Sequence, residues 1–136
     1  MARNVLVDAS FLVALLSRRD SHHDWAVTQA PDHAPPWRTC EAVLSEAIHL
    51  LGARGVSGIA ALVRRRALIS AFHLDRDVEP VLKLLQKYAD VPMSLADACL
   101  VRMAETLPDP VILTTDSDFR VYRRHSRQIV PCLMPS

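Results

Sequence analysis

Glycine, lysine, aromatic residues and long apolar runs are all scarce in this chain. Only three glycines occur in 136 residues. They fall together in Gly-Ala-Arg-Gly-Val-Ser-Gly (52–58), which follows no strand, leads into no Gly-Lys-Ser/Thr and is not G-x-G-x-x-G. A dinucleotide or phosphate loop is therefore not indicated, and Gly52, Gly55 and Gly58 are expected to break the helix before them. Aromatics make up 5%, too few and too dispersed for a base-stacking platform. Cysteine is limited to Cys40, Cys99 and Cys132, an odd and widely spaced set that fits neither a disulfide framework nor a zinc ribbon. The histidines lack ligand spacing, so zinc is not expected. No stretch reaches the roughly 20 apolar residues of a membrane span. Asp8 interrupts the apolar N-terminal run, which argues against a signal peptide. A cytoplasmic location without membrane association is expected.

The balance of charge also excludes extremes. Sixteen basic residues oppose fifteen acidic ones for a net of +1, so the chain is not a uniformly basic nucleic-acid binder. All the basic residues except Lys83 and Lys87 are arginine, a planar fork suited to phosphate and carboxylate. Half the residues are hydrophobic and 23% charged, as in a globular protein with a core. The length fits one domain spanning 1–136.

Short apolar runs alternate with helical periodicities. Asn4–Val7 reads as a buried strand ended by Asp8, and Ser10–Arg19 as a helix. Ser21 with Asp24 reads as a capping box opening another. Trp37 and Arg38 suggest a short strand, and Thr39 an N-cap for a helix with Val43, Leu44, Ala47, Ile48 and Leu51 on one stripe. Leu68–Leu74 reads as a strand and Asp75 as the cap of a helix to about Tyr88. Ser94 caps a helix bearing Ala96, Leu100, Met103 and Leu107. Val111–Thr115 is a strand followed by Asp116 and Asp118; a short helix and a last strand near Gln128–Leu133 complete the chain. Strand–helix alternation predicts an α/β fold with a mainly parallel sheet.

The acids then stand out by position. Asp8 and Asp116 each follow a strand, where open α/β sheets bind ligands. Asp97 lies in the first turn of its helix, and Glu46 beside an apolar stripe. Each alone has an ordinary explanation, as a cap or a solvated flank. Gathered in one cleft they would repel, by about 4 kcal/mol per pair at 4 Å and an effective dielectric near 20. A hard cation such as Mg²⁺ or Mn²⁺ relieves that repulsion and supports in-line attack on phosphorus. Glu41 and Glu46 flank opposite sides of one stripe, and helical geometry does not choose between them.

VLVDASFLVALL, TCEAVLSEAIHLL, SLADACLVRMAE and ILTTDSDF, in that order, resemble the PIN-domain family, and most closely its small VapC-type ribonuclease toxins. The resemblance runs from about Asn4 to Phe119. It implies a three-layer fold, a parallel sheet flanked by helices, and a Mg²⁺- or Mn²⁺-dependent endoribonuclease that leaves 5′-phosphate and 3′-hydroxyl ends. It further implies that Asp8, Glu46 (rather than Glu41), Asp97 and Asp116 are the catalytic metal ligands, with Asp118 supporting them and Ser10 and Thr115 as nearby hydroxyls. A homodimer and an antitoxin partner are implied too, with the glycine region a possible contact surface. Arg120, Arg123, Arg124 and Arg127 lie in an acid-free tract after Asp118, and the first three are candidates for RNA phosphate contact. Two other readings stay open: a PIN-fold binding module acting through a protein partner, and an aspartate-nucleophile phosphatase or receiver-like domain built on Asp8.

Overall fold

The computed structural model describes residues 3–136. Strand β1 (Asn4–Val7) leads through Asp8 into helix α1 (Ala9–Leu16), followed by α2 (His23–Gln29) and β2 (Trp37–Thr39). Helices α3 (Glu41–Leu51) and α4 (Ala53–Arg64) precede β3 (Leu68–Ser70) and α5 (Val78–Lys87). Helix α6 (Leu95–Thr106), β4 (Pro110–Leu113), the short hairpin strands β5 (Arg123–Arg124) and β6 (Gln128–Ile129), and β7 (Cys132–Leu133) follow. The central sheet has the order β3-β2-β1-β4-β7, with every pairing parallel. Six helices flank it, as the α/β reading predicts.

The sheet forms where side chains can be buried on both faces. Val5, Leu6 and Val7 of β1 and all four residues of β4 are buried, which is why these strands read as unbroken apolar runs. Pro110 opens β4, a position where a missing N–H is tolerated. From β1 the chain steps to β2 and β3 on one side, and later to β4 and β7 on the other. Asp8 thus leaves the sheet at its topological switch point, where adjoining connections diverge and open a crevice.

Several local expectations are corrected. Thr39 does not cap α3; it is wholly buried at the end of β2, donates its hydroxyl to Val7 O at 2.9 Å, and leaves the N-cap position to Cys40. Ser21 and Asp24 form no capping box: the N-cap of α2 is His22, whose N–H goes to Asp20 Oδ1. Only Gly52, at φ 71°, ends a helix. Gly55 and Gly58 lie inside α4, and a Cβ at Gly58 would come within 3.1 Å of Leu16 on α1, so this glycine allows close helix approach. Strand β3 stops at Ser70 because its one neighbour, β2, ends at the paired Thr39. The α5 N-cap position belongs to Asp77, not Asp75, and the Asp77 carboxylate accepts from Arg102 Nε at 2.9 Å. The stretch expected as one last strand splits around Pro131: β6 pairs antiparallel with β5, and β7 pairs parallel with β4. The cysteines are free thiols, as expected, with Cys40 and Cys99 buried. Among the described residues, no helix is long and apolar enough to cross a membrane.

Candidate metal centre

Asp8 is fixed by its own turn and by the neighbouring strand. Its N–H continues the sheet to Leu113 O at 3.0 Å, and its Oδ1 caps α1 through Ala9 N at 2.8 Å. Oδ2 faces two hydroxyls, Ser10 Oγ and Thr114 Oγ1, each 2.8 Å away. Those hydroxyls are oriented by backbone donors: Thr115 N–H reaches Ser10 Oγ at 2.9 Å, and Asp116 N–H reaches Thr114 Oγ1 at 3.0 Å. Each hydroxyl carries one proton, so with Asp8 ionised both point at Oδ2 while accepting from the loop that follows β4. The 3.0 Å Ser10–Thr114 separation lets either hydroxyl turn toward the other instead.

Asp97 is placed by the capped start of α6. Ser94 Oγ accepts from Asp97 N at 3.0 Å, as the sequence suggests. The Asp97 carboxylate then receives the Tyr122 hydroxyl at 2.7 Å. Tyr122 is fully buried and packs edge-on against Phe119 and Tyr88, both with centroids 5.2 Å away. Asp116 is held in its own turn, where Oδ1 accepts from Asp118 N at 2.9 Å.

These connections bring Asp8, Asp97 and Asp116 together. One carboxylate oxygen of each lies within 4.8 Å of the others. Burial raises the pKa of two of them, Asp8 and Asp97. The Asp8 carboxyl is pushed up to about 7, chiefly because it is desolvated, with the Thr114 and Ser10 hydroxyls opposing and the Asp97 charge adding to the rise. Asp97 is also raised, first by burial and then by Asp116, against the pull of Tyr122 and Ser94. Glu46 is raised by partial burial and by the charges of Asp97 and Asp116, which places it at the rim of the same field. Three hard oxygen donors at this spacing could hold a metal, and their donor set fits Mg²⁺ or Mn²⁺.

The sequence-derived residues divide accordingly. Asp8, Asp97 and Asp116 converge; Glu46 stands outside the triad on an exposed turn of α3, and Asp118 also lies outside it. Glu41 instead lines a separate pocket with Phe72 and His73, which separates it from Glu46. Ser10 reaches Asp8 as expected, but the second hydroxyl belongs to Thr114, not Thr115; Thr115 contributes its backbone N–H. Period-two alternation carries a signal for this, because residues 114 and 116 share a face. Tyr122 had no sequence signal beyond being a tyrosine that needs a partner once buried. Arg123 Nη1 donates to the carbonyls of Arg120, Val121 and Tyr122 at 2.7–3.1 Å, and Arg124 Nη1 to Ala104 O at 3.1 Å. Both therefore have a structural task, while Arg120 is exposed. Asp8 has no lysine beside it, since both lysines lie on α5, and this removes a feature expected of a receiver-like site.

Replacing Tyr122 with Phe is expected to cost about 1–3 kcal/mol at pH 8 by leaving the Asp97 carboxylate short of a donor. The loss should shrink at acid pH, where the carboxyl is protonated. Denaturant melts at the two pH values would check this, and a pH-independent loss would point to packing alone.

Three acids, two of them buried and the third half-buried, meet at the carboxyl edge of a parallel sheet and could hold a metal ion. The chain belongs to the PIN-domain family, whose domain matches residues 5–124. Its fold is similar to that of VapC20 from Mycobacterium tuberculosis, described as a toxin cleaving the sarcin–ricin loop: TM-score 0.72 at 23% identity, over 86% of this chain and 93% of that one. PAE2754 from Pyrobaculum aerophilum aligns at TM-score 0.47 and 22% identity, over 87% of this chain and 84% of that one. No curated protein gives a significant sequence match.

Proposed function

We propose that this chain is a Mg²⁺- or Mn²⁺-dependent endoribonuclease, acting as a single unit over residues 1–136 and serving as the toxin of a toxin–antitoxin pair. The convergence of Asp8, Asp97 and Asp116 within 4.8 Å is the observation that carries it. The acids would hold the ion, with Glu46 at the rim. Membership of the PIN-domain family and the fold shared with VapC20 support the reading. A protein antitoxin, a homodimer and a cytoplasmic setting belong to the same proposal.

A bound divalent ion would supply Lewis acidity at the phosphate and a water of lowered pKa. The protein's own groups do the rest. Ser10 and Thr114 hold the Asp8 oxygen in place, and Tyr122 holds that of Asp97. Preorganised ligands of this kind need little rearrangement during reaction. Glu46, whose carboxyl is raised by partial burial and by the charges of Asp97 and Asp116 and which is open to solvent, would take the proton of the attacking water. Arg120 faces solvent after Asp118, where it can meet a phosphate.

The test is RNA cleavage by purified protein with Mn²⁺, arrested by EDTA and restored by fresh metal, alongside Mn²⁺ titration by calorimetry. Binding of Mn²⁺ without metal-dependent cleavage would reject the nuclease reading. Absence of both would favour a binding module of the same fold.

A further inference from the structure

The chain's only two lysines, Lys83 and Lys87, sit one turn apart on α5. Lys83 follows Glu79 by one turn and Lys87 stands in the last turn, both favourable places on a helix, yet the two ammonium groups repel each other. Both line a cleft of about 270 Å³ whose other wall is formed by Glu105, Arg123 and Ser126. Lys87 is tied in place, with Nζ donating to Ser126 O at 2.9 Å and lying 5.2 Å from the Tyr88 ring centroid. Glu105 is already committed: Oε1 accepts from Arg102 Nη1 at 3.2 Å and Oε2 from His125 N at 2.7 Å. Among the described residues, no carboxylate pairs with Lys83, Lys87 or Arg123. The cleft thus presents three cations against one acid, Glu105, which shares Arg102 with Asp77. Arg127 and His125 continue the positive charge onto the adjoining hairpin turn, and no acid occurs after Asp118.

The cleft is linked to the acid triad through two tyrosines. Tyr88, next to Lys87, accepts from Arg123 N at 2.8 Å and packs against Tyr122. Tyr122, next to Arg123, donates to Asp97. One aromatic block therefore fixes both the cationic cleft and a proposed metal ligand.

We propose that this cleft is an exosite for the phosphate backbone of single-stranded RNA, holding the strand away from the cut. The two lysine point charges suit successive phosphates, Arg123, whose Nη1 is spent on three carbonyls, adds positive charge beside them, and the tyrosine block fixes the distance between that grip and the acids. The inference rests on RNA being the substrate, and it is tested without cleavage.

The test is fluorescence anisotropy of a short labelled single-stranded RNA in EDTA, with the full chain. The Lys83→Ala, Lys87→Ala double variant is expected to bind about 25-fold more weakly at about 0.1 M salt, with the log–log salt slope shallower by about 1.4, the effect of two lost phosphate contacts. The double Lys→Arg variant should retain affinity. Unchanged affinity and slope in a double-alanine variant of native circular dichroism would overturn the exosite. Displacement of the RNA by equimolar pyrophosphate or polyglutamate would overturn it too, in favour of a free polyphosphate or an acidic partner. Wild-type protein that binds RNA through the lysines but never cleaves it would leave the exosite standing and remove the nuclease; cleavage with unaffected binding would do the reverse.

Discussion

Asp8→Asn should cleave RNA at least about 100-fold more slowly than wild type, since a ligand matters no less than the groups that support one. It should also melt at a higher temperature at pH 8 in the absence of metal. The Asp8 carboxyl is raised from 3.8 to about 7 by burial. Below pH 4 the folded and unfolded chains both carry the proton, and Asp8 has no unfavourable effect. As the pH rises toward 7 the unfolded chain gives up its proton while the folded chain keeps it, so stability falls; above 7 the loss is complete. Asparagine has nothing to titrate, and its amide can donate to whichever of the Ser10 and Thr114 hydroxyls turns its own proton toward the other. The variant should gain roughly 2–4 kcal/mol above pH 7, or about 10 °C in Tm, and nothing near pH 4. Saturating Mn²⁺ should then raise the wild type by about 3 kcal/mol at a hundred times Kd and leave the variant behind. Melting curves at the two pH values, with EDTA and with Mn²⁺, measure all of this. A variant that is less stable than wild type at pH 8 would show that burial of the Asp8 charge is not the dominant cost.

Thr114 and Thr115 should behave as opposites. Thr114→Val removes the hydroxyl that donates to Asp8 and accepts from Asp116 N, and so loosens two acids at once. Supporting groups of this kind typically contribute 10- to 100-fold in metal affinity or activity, and the stranded carboxylate and N–H should cost about 1–3 kcal/mol of stability. Thr115→Val keeps the backbone N–H that serves Ser10 and should leave Mn²⁺ affinity and cleavage near wild type. Calorimetric Mn²⁺ titration and initial cleavage rates of the two variants give the comparison. Equal loss in both would mean that the loop, not the hydroxyl, is what matters.

This contrast also marks how far the sequence could be read. Asp8 and Asp116 were legible because strands buried on both faces are apolar throughout, so the first acid after each is conspicuous. Asp97 was legible through its Ser94 cap, a contact between near neighbours in sequence. What escaped depends on distant partners. Thr39 left its capping role for Val7 O, and Asp77 turned to Arg102, because tertiary partners outcompeted local ones. Gly55 and Gly58 stay helical because packing, not propensity, decides α4. Tyr122 acquires its role only when the chain after β4 folds back over α6.

The spread of the acids along the chain also sets a timetable. Asp8 is made 106 residues before its hydroxyl partner Thr114. Strand β1 pairs with β4 in the register Asn4↔Pro110, so the centre of the sheet stays open until late in synthesis. Contacts this distant in sequence form slowly and only after much of the chain is available. A partly made polypeptide still emerging from a ribosome thus has its first acid but no centre to place it in. If the chain is a ribonuclease, the ribosome that builds it is shielded from it until β4 and the acid after it have been added.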